Sequence, residues 1–168
     1  MDIPVVSLQT GRAVATARQP VFNPNNLKIE GWFCAVPGQK QTLFLSSSDI
    51  REFGNYGIAI NSNDVIAPLE DFVRLEKLFR LNFQLIGKKI ETESGKKVGK
   101  VEDFAVNIDS LFVQKLYVNQ RALGAFIKDQ LTVSRTQIRE ISDKKIVIAE
   151  LEGFEKSFFK NPLQVPEG

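Results

Sequence analysis

Residues Leu27 to Val36 alternate apolar and polar side chains at first and then turn continuously apolar, which predicts a strand running from a half-exposed edge into a core. Short segments of similar character recur on both sides of it: Gly11 to Thr16, Thr42 to Leu45 and Tyr56 to Ile60, then the stretches around Ile90, Val98 to Ile108, Phe112 to Val118, Ala125 to Ile127, Leu131 to Val133 and Lys145 to Ala149. Turn formers punctuate them. Pro20 to Asn26 carries two prolines and three asparagines, and Pro37-Gly38, Gly54-Asn55 and Ser94-Gly95 each mark a reversal. Ser46 to Asp49 offers an N-cap to a short helical turn over Ile50 to Phe53, and Ile138 to Ile141 is expected to repeat that turn. The period changes only between Pro68 and Arg80. There Leu69, Phe72, Val73, Leu75, Leu78 and Phe79 fall mostly three and four apart, Pro68 suits a first helical position and Glu70-Asp71 suit the positive end of a helix dipole, so one helix is expected.

The pattern contains an internal repeat. LSSSDIREFGNYGIAI at residues 45–60 lies over VSRTQIREISDKKIVI at residues 133–148 without a gap, with six identities in sixteen positions where unrelated segments give roughly one. The identical pairs are Ser46 and Ser134, Ile50 and Ile138, Arg51 and Arg139, Glu52 and Glu140, Ile58 and Ile146, and Ile60 and Ile148. Two tandem β units follow, over residues 1–66 and 84–153, with a linker helix at 67–83 and a tail at 154–168. A unit of this size buries only about 60% of its unfolded surface, so the two are expected to share an interface that the linker helix helps to seal. Either unit expressed alone is expected to melt below the whole chain; equal melting temperatures would contradict this.

At this level the chain resembles the PRC-barrel family. In the second unit the resemblance rests on Gly87-Lys88-Lys89-Ile90, the Gly95 turn, Val98-Gly99-Lys100-Val101 with Asp103-Phe104, and the Gln137-Ile138 turn before a strand. In the first it rests on Gly11 to Thr16, Pro20-Val21-Phe22 and the Asp49-Ile50 turn. It implies a mainly β fold of two small six-stranded barrels in tandem, and roles in assembly and docking, the reaction-centre H subunit and a ribosome maturation factor being members. It carries over no catalytic residue.

Composition narrows the chemistry. Hydrophobic residues make up 43% and charged residues 25% of the 168, which is ordinary for a globular chain. No apolar run nears the roughly 20 residues that span a bilayer, and Met1-Asp2-Ile3-Pro4 opens no signal peptide, so a cytoplasmic location is expected. The chain holds no histidine, which removes the usual neutral-pH acid/base and the commonest metal ligand. No catalytic residue, metal site or cofactor is expected. The single cysteine, Cys34, lies in an apolar run and is expected to be buried. A net charge of +2 is too small to drive nucleic-acid or membrane binding by itself, so any basic site must be local.

Two local candidates stand out. Lys88, Lys89, Lys96, Lys97 and Lys100 lie on the two arms of one hairpin, where they could gather phosphate oxygens of RNA; Glu91, Glu93, Glu102 and Asp103 interleave with them, which also suits a mixed solvated face. In the tail, Phe154, Phe158 and Phe159 could form the apolar face of a short helix ended by Pro162, packed on a barrel or docked on a partner. The expected activity is that of a non-enzymatic docking module with a protein partner. The alternative is a factor that binds RNA or a ribosomal protein, with no role for DNA and no membrane-spanning segment.

Overall fold

The computed structural model describes residues 1–120 and 130–151. Their backbone is mainly β, in two sheets. The first sheet is built from β1 (Ile3–Ser7), β2 (Arg12–Asn23), β3 (Lys28–Ala35), β4 (Leu43–Ser46), β5 (Ile50–Gly54), β6 (Gly57–Ile60) and β7 (Ile66–Pro68). Its strand order is β5-β6-β1-β2-β3-β4-β7. The second contains β8 (Lys89–Thr92), β9 (Lys97–Val106), β10 (Val113–Asn119), β11 (Gln130–Ser134), β12 (Ile138–Ile141) and β13 (Lys145–Ile148). Its order, β11-β10-β9-β8-β13-β12, is that of the first sheet without β7.

The duplication extends to the register. β1 runs parallel to β6 through Val5 and Ile58, and β8 runs parallel to β13 through Ile90 and Ile146. Ile50 faces Ile60 and Ile138 faces Ile148, and in both pairs the ladder slips at the next residue, Arg51 or Arg139. The repeated isoleucines are therefore paired core positions, and the repeated arginines are bulge residues that point to solvent. Further matching slips occur at Val14 and Val98, and at Arg18 and Glu102.

Each sheet must curl. β4 and β5 sit at opposite ends of six strands, which in a flat sheet would separate them by about 24 Å. Yet only the 3-10 turn Ser47–Asp49 joins them, a link of at most about 14 Å. Arg135–Gln137 does the same between β11 and β12. The helical turns thus precede Ile50 and Ile138 instead of containing them, a correction with two causes. Ser46 and Ser134 are the caps, Ser134 within a capping box completed by Gln137, and the isoleucines are drawn into the ladders that bury them.

The linker also departs from expectation. Residues 66–68 form β7 on the edge of β4, 3-10 turns follow at Leu69–Asp71 and Val73–Leu75, and only α1 (Glu76–Leu81) is α-helical. Helical periodicity lost to packing. Phe72 leaves helical geometry at φ −101° and ψ 60°, and its ring meets the fully buried Phe44 at 4.9 Å. Phe79 reaches Phe44 at 4.9 Å and Phe33 at 5.8 Å, so α1 covers the outer side of β3 and β4. Two details of the first sheet were not foreseen either. β1 precedes Gly11, and Pro20 lies inside β2 opposite Trp32, beyond the last β1 pair at Ile3 and Ala17, where its missing N–H leaves no β1 partner unpaired.

The sheets meet through equivalent turns. Leu27 donates to the carbonyl of Asn23 at 2.7 Å and Leu111 to that of Asn107 at 2.8 Å, with left-handed backbones at φ 55° and 61° and both side chains buried. The two turns then join antiparallel around Lys28 and Phe112: Ile29 donates to Leu111 O at 2.9 Å and Val113 to Leu27 O at 3.0 Å. The joint has pseudo-twofold symmetry, broken at its centre. Arg135 stacks on the Phe112 ring at 4.8 Å and donates to Val113 O at 3.1 Å and Asn26 O at 2.7 Å, whereas Ser47 holds the equivalent place in the first sheet. Phe22 and Phe104 pack edge to face beside it at 5.2 Å, and one apolar core runs through both sheets.

Candidate functional site

The outer face of the second sheet is set by a bulge. In β9, Val98 and Gly99 are both buried, and the ladder slips at Val98 so that Ile90 faces Gly99 while Glu91 faces Lys97. Lys97 and Lys100, which strict alternation would send to opposite faces, therefore both point outward. Gly99 is required there: a Cβ would lie 2.2 Å from the carbonyl oxygen of Asn119, and the residue sits at φ 154°.

Register then aligns a row across the sheet. Lys145 on β13 is opposite Lys89 on β8, Lys89 is opposite Lys100 on β9, Lys100 is opposite Asn119 on β10, and Asn119 is opposite Gln130 on β11. Adjacent strands lie about 4.8 Å apart, so three ammonium groups share a span of about 10 Å. Like charges placed directly opposite destabilise a sheet by a few tenths of a kcal/mol or more. Glu91 is the carboxylate set among them. It accepts from Lys145 Nζ at 2.7 Å, and that hydrogen bond, with Lys97 and Lys89 nearby, holds its carboxyl below the usual range against the opposing effect of burial. The same bond raises the Lys145 ammonium. Tyr117, also outward and half-buried, is the diagonal neighbour of Lys100 and the direct partner of Asp103, whose carboxylate caps the Phe104 N–H at 2.8 Å.

No family model matches the chain, and a search of curated proteins finds no match.

The five hairpin lysines are thus divided. Lys89, Lys97 and Lys100 are exposed on one face, and Lys96 stands at the hairpin turn. Lys88 turns away: its Nζ donates to Asp143 O at 2.6 Å and lies 4.3 Å from the Phe83 ring centre, where burial lowers its pKa against the pull of Asp143. Lys145 was missed by sequence reasoning, because only the parallel pairing of β13 with β8 places it beside Lys89. Residues 121–129, with the strand expected at 125–127, and the tail with Phe154, Phe158 and Phe159 lie outside the described residues.

Other places in the fold offer less. Among the described residues no three acidic or cysteine side chains gather as a metal site, and no helix is long and apolar enough to cross a membrane. Cys34 is buried with only 2% exposure, which pushes its thiol up to about 12 although a backbone hydrogen bond with Leu45 opposes the shift. A shallow depression of about 550 Å³ on the first sheet, lined by Arg18, Gln19, Phe33, Lys40, Gln41 and Leu69 among others, opens broadly to solvent.

Proposed function

We propose that the chain is a non-enzymatic docking module of the PRC-barrel type, two small six-stranded barrels in tandem, that seats on a larger protein assembly. One observation carries this reading: the same strand framework is built twice, bulges included, while its outward positions differ in chemistry. Where the second sheet presents Lys89, Lys97, Lys100 and Lys145, the equivalent places in the first hold Pro4, Ala13, Thr16 and Gly57. A duplicated scaffold with diverged surfaces suits recognition more than chemistry. Pro4, Ala13 and Thr16 carry no charge, and this patch of β1 and β2, flanked along β2 by the exposed Arg12 and Arg18, fits a protein partner, since the cores of such interfaces are depleted in charge.

The test is the native size of the protein in extracts of cells that make it, with and without nuclease. A high-mass protein complex that resists nuclease is expected, and Ala13→Lys with Thr16→Lys should release the chain from it. The second sheet carries lysine at both equivalent positions, so the fold tolerates the change. Migration of the native chain at its own 18.9 kDa mass would overturn the reading.

A further inference from the structure

We propose that the outer face of β8, β9 and β13 binds the phosphodiester backbone of single-stranded nucleic acid, with Lys89, Lys97 and Lys100 on the phosphates and Tyr117 under a base. This goes beyond the docking reading and stands independently of it. The first argument is that the fold does not require these lysines. The first sheet makes the same pairs and the same bulge with Pro4, Ala13 and Thr16, yet the second places Lys89 directly opposite Lys100 and aligns Lys145 beside them. A local repulsion that the scaffold can avoid is expected at a functional site.

The second argument is charge. Glu91, the carboxylate set among the row, is committed to Lys145, so around the row Lys89, Lys97 and Lys100 outnumber it, while the exposed Glu102 and Asp103 lie further along β9 beyond Lys100. A row perpendicular to the strands matches an extended polyanion, and each phosphate it neutralises releases counterions. The third is the aromatic group. Tyr117 lies diagonal to Lys100 with Asn119 and Gln130 continuing the row, and an aromatic beside a cationic track is how unpaired bases are held. A membrane or a protein hot spot would call for apolar anchors instead. The exposed large apolar residues among those described are Met1, Leu8, Tyr56, Val73, Leu81, Ile86 and Ile108, and none is on these strands.

The experiment measures binding of the full chain to fluorescent oligouridylate and to oligothymidylate across a salt series. Three lysine contacts predict a log–log slope of about −2, at roughly 0.7 per phosphate on a single strand. Lys89→Thr with Lys100→Thr should weaken binding about tenfold and flatten the slope to about −0.7, without lowering the melting temperature. Lys40→Thr with Lys77→Thr, the same change of charge elsewhere, should leave affinity within about twofold. Tyr117→Leu should weaken binding and leave the slope unchanged. Preference for the uridylate identifies RNA as the source of the backbone, and equal binding identifies any single strand. Failure of both oligonucleotides to bind at low salt, an equal loss in the control variant, or binding only to phosphatidylserine vesicles would overturn the proposal.

Discussion

At the scale of single residues, buried groups define what the chain tolerates. Cys34 is held neutral by burial, with its thiol raised from near 9 to about 12. It should therefore resist iodoacetamide in the native protein at pH 8 and react once the chain is unfolded, as mass spectrometry would show. Because the folded value is the higher one, the neutral thiol's contribution to stability is fully present below pH 9 and is lost as pH rises toward about 12; Cys34→Ala should flatten that alkaline decline in thermal melts. Gln120 is the opposite case. Its side chain is 2% exposed and its amide finds no hydrogen-bond partner among the described residues, at the place where the first sheet has Val36. Gln120→Val should stabilise by about 1–3 kcal/mol in urea titrations, since an unsatisfied buried amide carries that order of penalty. The burial of Cys34 was legible from its apolar neighbours, whereas the Gln120 amide was not, because its burial depends on which strand ends pack around it.

Among the elements, alternation and turn residues located the described strands better than period located the helix. The strands around Ile29, Ile58, Val118 and Ile146 follow from apolar segments bounded by turn formers, and the ladders confirm them. The three- and four-residue spacing of residues 69–79 instead serves two 3-10 turns and the start of one six-residue helix, because Phe72 and Phe79 must both reach Phe44. Such a short helix is marginal by itself and depends on the face it packs. Phe79→Ala should consequently cost about 2–4 kcal/mol and loosen α1 first, seen as faster amide exchange over residues 76–81 than in β3. Arg80→Ala on the exposed side should change stability by less than about 0.5 kcal/mol.

For the whole molecule, equivalent turns join the two sheets, and one apolar core runs through both. Removing the Arg135 guanidinium takes away donors to Asn26 and Val113 across this joint as well as the stack on Phe112. Arg135→Ala should cost about 1–3 kcal/mol, more than Arg139→Ala at the repeated but exposed bulge, and chemical denaturation compares them directly. The repeat at residues 45–60 and 133–148 announced the duplication because paired core isoleucines and capping serines are local requirements. A second copy, Asn23-x-Asn25-x-Leu27 against Asn107-x-Asp109-x-Leu111, was also present in the chain but carries so few side chains that only the matching turns expose it. Sequence by itself determined the β character, the duplication, the lysine-rich hairpin and the burial of Cys34, all of which follow from side chains close along the chain. The tertiary structure alone decided that the turns, more than the linker helix, join the halves, that a bulge brings Lys97 and Lys100 to one face, and that Lys145 completes the row. These depend on register and strand order, which arise from contacts between residues tens of positions apart.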